Sequence, residues 1–442
     1  MKKFYALILM LSIIVGLCAC SSAPVAGSET TVTTTVADDT TAVPDDTTSA
    51  AEEEEEETSK SLVPEPLTME KLESLPIASD SMTIDEKRQL CVDFFRLSGL
   101  VQYTPSQDFT YKQTSGGKMS TLTAGTIYSG LPYVVSGKGN LYTFMHYYDE
   151  TTGVLDSSRM EGLDFGKVIG NQCSYGSLWA WARVVNSFSH TLTNTTHSNN
   201  GCIPIAPFEY ECIGDWSADN RTATVCYSNG FQTTYEAYAN MKPADGMVMY
   251  GKDGGHTQMV SSLPVVVRNT DGTINGQESY LYYIDQGTDY TDYYPVDGVK
   301  TLLQADIDVK ITFEEMLLSG YIPFTFAEFL GTDPVEAGSC KFNVKNETVT
   351  AEELLAGKIT ANYVISDVTI SIYESDGTLV ICEMDLPNKI GKKTYKMSEL
   401  SDIAKLDVNG ISGRRVTVQC RIGNGEKFTV YDGTFTEENG ED

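Results

Sequence analysis

Positive charge is scarce in this sequence. Its 442 residues include 31 Lys and Arg against 61 Asp and Glu, which gives a formal net charge of -30 at pH 7. Such a chain offers no basic surface for a phosphate backbone, so we expect no nucleic acid partner. An acidic chain also gains nothing from anionic lipid headgroups, so any attachment to a membrane needs a different anchor.

Histidine is scarce as well, with 4 residues in the whole chain. His190 and His197 lie in a polar loop, residues 187–200, with no cysteine or carboxylate at metal-ligand spacing. Zinc and related metals need three or four ligands in a recognisable spacing. We therefore expect no metal and no cofactor.

Long apolar runs are missing except at the N-terminus. Lys2 and Lys3 precede an apolar stretch from Phe4 to Leu17, which predicts a signal peptide over residues 1–19 and is short for a membrane span. The end of this stretch, LCACSS, resembles a bacterial lipobox, and the resemblance implies that Cys20 is lipidated and becomes the mature N-terminus. The alternative is an ordinary secretory signal with two incidental cysteines. With lipidation, we expect a protein anchored in the cell membrane and facing the outside.

Residues 20–68 contain very few large apolar side chains. This segment is mainly Thr, Ala, Asp and Glu and includes the acidic run Glu52–Glu57. It cannot bury enough surface to offset its ordering entropy, which predicts a disordered tether. An acidic tail that binds calcium or a partner is the alternative.

Ten cysteines do not make this chain a disulfide scaffold. Setting aside Cys18 and Cys20 leaves eight, and a free nucleophile among them leaves an odd number. Export permits a disulfide between Cys202 and Cys212. A second pair is conceivable between Cys382 and Cys420. We expect Cys91 to be core packing, on a helix from Ile84 to Leu97, and Cys226 to lie in a strand, residues 222–227.

Cys173 stands at the start of a segment with helical periodicity, GNQCSYGSLWAWARVV. Gly170, Asn171 and Ser174 offer turn and capping chemistry, so the helix should begin at or just before the cysteine. A thiol in that position feels the positive end of the helix dipole, which favours the thiolate. Cys173 is thus either a nucleophile or a small buried hydrophobe.

A histidine begins a predicted strand further along. A turn at residues 241–246 and a strand at 247–250 lead through a glycine-rich loop into His256-Thr257-Gln258-Met259-Val260. The next strand, residues 280–284, ends in Asp285 and Gln286. In an antiparallel pair, either of these can lie beside His256 and orient its imidazole.

This order of residues resembles the NlpC/P60 group of papain-like cell-wall peptidases. In that group a cysteine opens a helix, a KPGD turn leads to a strand, and a GHV motif starts the next strand; the counterparts here are GNQCS, KPADGMVMY and GGHTQMV. The resemblance covers roughly residues 128–286. It implies that Cys173 is the nucleophile, that His256 is the general base and then acid, and that Asp285 or Gln286 is the orienting group.

The flanks of Cys173 depart from the family pattern. The family has Asp before the cysteine and Ser-Gly after it, where they hold the amino end of the peptide stem; this chain has Gln172, Ser174 and Tyr175. Gln172 cannot supply the same charge but can donate to an oxyanion together with the Cys173 N–H. Ala244 replaces the family's turn glycine.

After residue 338 the sequence changes to short strands and turns. Alternating segments at residues 364–373, 378–384, 415–422 and 427–431, with Asp376-Gly377 and Asn424-Gly425 as hairpin turns, predict a small Ig-like β-sandwich. We therefore expect an α+β chain in which a papain-like domain of helices and antiparallel sheet, residues 69–334, precedes a β-sandwich, residues 335–442.

The sequence favours a surface-anchored cysteine hydrolase, a peptidase or amidase, that acts on peptidoglycan or a related peptide amide. The alternative is a non-catalytic cell-surface binding protein on a degenerate hydrolase scaffold. Acyl or amide transfer is a third hypothesis, because an amine could attack a thioester at Cys173 in place of water.

Overall fold

The computed structural model describes ten ranges of the chain. They are residues 67–113, 117–135, 137–162, 165–188, 201–210, 221–251, 254–293, 300–385, 392–400 and 412–436, with side chains left out for residues 167 and 288–293. The predicted signal peptide, Cys20, the tether up to residue 66 and the loop histidines lie outside these ranges, as does Cys212. The last two residues assigned to the tether are not disordered: Leu67 is buried in the main apolar core, and Thr68 caps the helix that begins at Met69. Within them, no helix combines the length and apolar character that crossing a membrane requires.

The described residues form mixed α and β structure with several antiparallel sheets and no closed barrel. The helices are α1 (Met69–Glu73), α2 (Ile84–Leu100), α3 (Leu141–Met145), α4 (Phe165–Val168), α5 (Cys173–Trp181), α6 (Thr222–Asn229), α7 (Phe231–Ala239), α8 (Phe313–Ser319), α9 (Ala327–Leu330) and α10 (Ala351–Ala356).

Strands up to residue 325 belong to the first part of the chain. They are β1 (Gln102–Pro105), β2 (Phe109–Lys112), β3 (Met119–Leu122), β4 (Tyr128–Ser129), β5 (Tyr148–Asp149), β6 (Val154–Leu155), β7 (Ile203–Pro204), β8 (Gly246–Gly251), β9 (Gly254–Val260), β10 (Tyr280–Tyr293), β11 (Thr301–Thr312) and β12 (Ile322–Thr325). All but β2 and β3 form one sheet, in the order β5-β6-β1-β4-β11-β10-β9-β8-β12-β7. The run from β11 to β7 is antiparallel throughout.

Strands after residue 339 form two further sheets. They are β13 (Cys340–Phe342), β14 (Thr348–Val349), β15 (Lys358–Ala361), β16 (Ile365–Tyr373), β17 (Leu379–Asp385), β18 (Thr394–Lys396), β19 (Arg415–Ile422) and β20 (Lys427–Phe435). Their orders are β14-β20-β19-β16-β17 and β13-β15-β18, and both sheets contribute to a second apolar core. The predicted strands are confirmed, and both turn glycines, Gly377 and Gly425, have positive φ. The boundary at residue 334 and the sandwich stay predictions.

Helix α2 begins where the sequence predicts and ends later. Thr83 accepts from the Glu86 N–H (3.2 Å) and Glu86 accepts from the Thr83 N–H (2.7 Å), a reciprocal capping box. The sequence predicts its end at Leu97, but the helix continues through Ser98 and Gly99 to Leu100. A Cβ at Gly99 would lie 2.4 Å from Ile307 Cδ1, so glycine allows α2 to pack closely on β11. Cys91 on this helix is fully buried, as expected.

Two expectations about cysteines are wrong. Residues 222–227 belong to helix α6, not to a strand; Thr222 and Cys226, four residues apart, form its buried side. Alternating Thr and Val side chains gave this segment its strand-like pattern, and packing overrides that preference. Cys382 and Cys420 are not joined by a disulfide. Cys382 lies near Ser371, with 3.8 Å between Oγ and Sγ, whereas the Cys420 thiol contacts that of Cys340.

Two arginines join the first part of the chain to the later sheets around Tyr142 of α3. Arg183, just past α5, donates to Tyr142 Oη (3.1 Å), and Arg421 of β19 lies over the Tyr142 ring, 4.0 Å from its centroid. Arg421 also pairs with Glu73 (2.6 Å) and lies 3.6 Å from Asp367. Both guanidinium groups are buried, so this contact is a packed interface that includes charge.

Candidate functional site

The backbone before Cys173 is held by its neighbours. Asn171 accepts from the Val134 N–H (2.7 Å) and donates to the Pro132 carbonyl (2.8 Å), as in parallel strands. A Cβ at Gly137 would lie 2.6 Å from the Gly170 carbonyl carbon, so the two segments touch through backbone. This contact fixes the chain immediately before α5.

Helix α5 begins at Cys173, which confirms the predicted start. The expected capping chemistry is wrong, because Gln172 is the N-cap and, among the described residues, no side chain caps the helix. Instead, the Gln172 carbonyl accepts from the N–H groups of Tyr175 (3.0 Å) and Gly176 (2.9 Å), and Asn171 Oδ1 accepts from the Gln172 N–H (2.7 Å). The backbone, not Ser174, starts the helix.

The Cys173 side chain is fully buried in a small cluster of its own. Its neighbours there are Tyr133 and Val135, separate from the main apolar core. Cys91 and Cys226 lie in that main core, where burial raises the pKa of both thiols, that of Cys226 to about 12. Cys173 differs from them in lying at a helix N-terminus, where the helix dipole favours the thiolate.

The direction of α5 brings Cys173 toward the start of β9. At the other end of the helix, Trp181 Nε1 donates to the Ala244 carbonyl (2.7 Å), and the Ala244 N–H donates to the carbonyl of Val260, the last residue of β9. Because α5 also packs against β9, we infer that its first residue lies toward the end of the sheet where β9 begins. His256, the third residue of β9 rather than its first, lies at that same end.

His256 and Asp285 form a short hydrogen bond. The distance from His256 Nε2 to Asp285 Oδ2 is 2.6 Å, and Gln258 Nε2 donates to the same oxygen at 2.8 Å. A carboxylate only accepts, so Nε2 carries the proton and Nδ1 is left for another partner. The His256 side chain is 16% exposed to solvent and the Asp285 side chain is 2% exposed. The pair is therefore largely shielded from water, and only the imidazole is accessible from the surface.

Asp285, not Gln286, orients His256. Both residues lie inside β10 rather than at its end, and successive strand residues point to opposite faces. Gln286 donates to the carbonyls of Leu131 (2.5 Å) and Gln304 (3.1 Å), and its Cβ lies 3.7 Å from a Cβ built on Gly176 of α5. Its role is to join the sheet to its neighbouring segments.

The three predicted substrate and oxyanion residues are all buried. Tyr175 packs in the main apolar core. Gln172 Oε1 and Ser174 Oγ are buried with no hydrogen-bond partner among the residues that the structure describes. Buried polar atoms of native proteins are nearly always paired, so these two atoms mark a place where polar contacts are incomplete.

The predicted KPAD turn is built around a buried ion pair. Arg88 of α2 binds Asp245 Oδ1 (2.8 Å) and the Pro243 carbonyl (2.7 Å), while Asp245 Oδ2 accepts from the Lys242 N–H (2.7 Å). Burial raises the pKa of Asp245, and Arg88 opposes that rise. Ala244 has a φ of 67°, so this alanine adopts the left-handed conformation that glycine takes most readily.

Sequence reasoning missed two residues beside the pair, Gln258 and Asp306. Gln258 shares a strand face with His256, and that alternation was the available signal. Asp306 of β11 lies directly opposite Asp285, and burial and the Asp285 charge raise its pKa to about 6. Nothing in the sequence indicates that these two strands pair in this register.

Among the described residues, no group of three or more His, Cys, Asp or Glu could hold a metal ion. Comparison with protein-family models, with curated proteins and with solved structures finds no match for this chain.

Proposed function

We propose that this chain is a cysteine hydrolase that cleaves a peptide amide, with Cys173 as nucleophile and His256 as the base that Asp285 orients. The observation that carries the proposal is the 2.6 Å hydrogen bond between His256 and Asp285. Cys173 is the first residue of α5, and the direction of this helix brings it toward the end of the sheet that holds the pair. A fixed imidazole with one nitrogen on a carboxylate is the arrangement that activates a thiol.

The chemistry follows from these roles. His256 Nδ1 takes the Cys173 proton, the thiolate attacks the amide carbon, and the charge develops on the carbonyl oxygen near the N-terminus of α5. The imidazolium returns the proton to the leaving amine, which departs and leaves a thioester on Cys173. Water, deprotonated by His256, then releases the acid and restores the thiol.

The finer fold and the location belong to the same proposal. A papain-like arrangement for the first part of the chain and an Ig-like sandwich for the later sheets fit the antiparallel strands on either side of residue 334. The resemblance to NlpC/P60 peptidases supports peptidoglycan or a related peptide as substrate, and the lipobox-like LCAC supports a lipid anchor at Cys20 on the outer face of the cell membrane.

Alkylation tests the nucleophile directly. We expect iodoacetamide at neutral pH to modify Cys173 faster than Cys226 or Cys91, with sites mapped by mass spectrometry, and we expect His256→Gln to slow the Cys173 rate at least tenfold. The matched control is His146→Gln, a histidine bound to Arg159 elsewhere in the chain, which should leave the rate unchanged. Equal rates at the three thiols would refute the hydrolase.

A non-catalytic binding protein is the second candidate, and the complete burial of Cys173 favours it. Sedimentation with purified peptidoglycan distinguishes the two. A hydrolase releases soluble fragments that Cys173→Ala abolishes, whereas a binding protein sediments equally in both forms and releases none.

A further inference from the structure

A second carboxylate, Asp306, lies against the His256–Asp285 pair. Asp285 of β10 and Asp306 of β11 are register partners, and Tyr283 Oη lies 3.5 Å from Asp306 Oδ2. Residues directly opposite each other in antiparallel strands have Cβ atoms roughly 5 Å apart. Asp306 is therefore close enough to act on the pair electrostatically without belonging to it.

A β-bulge creates this neighbourhood. Tyr283 pairs with Val309, so an unbroken register would put Ile307 opposite Asp285, but the observed partner is Asp306. A shift of one residue exchanges the two faces of a strand. The bulge thus brings a carboxyl group to Asp285 where a regular ladder would bring an isoleucine.

Helix α2 holds the bulge in place. Asp308 has a φ of 52°, and Arg96 of α2 binds both of its carboxylate oxygens, at 3.0 and 2.8 Å. Ile307 faces α2 and packs against Gly99. Bulges are frequent next to active sites, where they re-aim a side chain.

We propose that Asp306 is a positioning residue that sets the protonation state of His256 through Asp285; this rests on the function proposed above. One oxygen of Asp285 already holds both His256 and Gln258, and the other, Oδ1, is buried without a hydrogen-bond partner among the described residues. The pair is thus short of polar contacts on Oδ1. An ionised Asp306 adds a second negative charge, which favours the imidazolium form that a thiolate requires.

The charges around Asp306 give the direction of the effect. Asp285 and Tyr283 face it from β10 and His256 from β9, while Asp308 on its own strand is neutralised by Arg96 of α2. Because burial and Asp285 raise the pKa of Asp306 to about 6, it is charged above that pH and neutral below it. His256 lowers the pKa of Asp306, and since such coupling is reciprocal, Asp306 favours protonated His256.

NMR titration of the histidine rings in the purified full-length protein tests this. We expect Asp306→Asn to move the titration midpoint of His256 to lower pH by roughly one unit, since it removes a nearby negative charge. His256→Gln assigns the signal. Glu352→Gln is the control, because it removes one negative charge from an exposed position of α10 in the later part of the chain, and it should leave the midpoint in place. An unchanged midpoint in Asp306→Asn overturns the proposal.

The wild-type protein provides an independent measurement should Asp306→Asn fail to fold. The His256 signal should show a second inflection near pH 6, from Asp306; a single inflection overturns the proposal. The hydrolase is tested separately by Cys173 alkylation. A shifted midpoint with an unreactive Cys173 refutes the hydrolase alone, and a reactive Cys173 with an unshifted midpoint refutes the role of Asp306 alone.

Discussion

Two aspartates in the first part of the chain, Asp245 and Asp285, are equally buried but differently used. Each is 2% exposed. Asp245 has partners on both oxygens, a guanidinium on one and a backbone N–H on the other. Asp285 places two donors on one oxygen, has no partner for the other among the described residues, and faces a second carboxyl group.

Under the proposed function, burial serves structure in the Arg88–Asp245 pair and chemistry in the His256–Asp285 pair. Arginine stays charged at any ordinary pH, so the Arg88–Asp245 pair can only hold the turn in place. Histidine gains and loses its proton near neutrality, so the charge balance of the His256–Asp285 pair can change during a reaction. A buried carboxylate with an oxygen unpaired among the described residues, such as Asp285, lowers the stability of the fold. We expect this loss of stability at a site whose charge has to change.

The largest expected effect comes from breaking the structural pair. Asp245→Asn leaves the Arg88 guanidinium buried without its carboxylate, so we expect a loss of about 3 kcal/mol in the free energy of unfolding. Urea unfolding followed by circular dichroism measures it.

Asp285→Asn is the counterpart: we expect it to lower the free energy of unfolding by less than about 1 kcal/mol but to slow Cys173 alkylation roughly a hundredfold. Equal stability losses in the two variants would erase the distinction.

A smaller effect comes from the other described histidine. Burial and the nearby Arg159 lower the pKa of His146 to about 4. The unfolded chain then takes up a proton below about pH 6.5 that the folded chain does not, so stability present above that pH is lost as the pH falls toward 4. The loss should be on the order of 2 kcal/mol, since the ring is not fully buried.

His146→Gln should remove that part of the acid slope. Urea midpoints of wild type and variant at neutral pH and near pH 4 give the comparison. If wild type and variant lost the same stability between neutral and acidic pH, His146 would not account for the loss. The carboxylates of the candidate site would then contribute more to it than expected.

The smallest effect concerns the turn that Asp245 closes. Ala244→Gly relieves a left-handed alanine, which stabilises by about 1 kcal/mol, but it removes a buried methyl group and adds freedom to the unfolded chain. We therefore expect a net change below about 1 kcal/mol, measured as a shift in the thermal midpoint. A loss well above that would show that packing, not conformation, selects alanine here.

The sequence predicted what depends on local pattern. The start of α5 at Cys173, the strand that carries His256 and the C-terminal strands all follow from periodicity and turn residues within short segments. Residues 222–227 show the weakness of that approach, because alternating Thr and Val side chains fit a strand or a helix until packing decides.

Features that depend on long-range pairing could not be predicted. The choice between Asp285 and Gln286 depends on strand parity, which only the pairing of β9 with β10 fixes. Asp306 depends on a bulge that changes the register by one residue. Arg88 and Asp245 are 157 positions apart, and no local signal links them.

Tyr142 of α3 lies between Arg183, just beyond the Cys173 helix, and Arg421 of β19, the central strand of the five-stranded sheet. Unfolding of the later sheets alone would remove Arg421 from Tyr142 and Glu73 and would remove Gly425 from Arg183, so these buried contacts couple the two apolar cores. The two cores should consequently melt in a single transition. Heat or denaturant that loosens the C-terminal sheets would, at the same temperature or concentration, release the end of the helix that starts at Cys173.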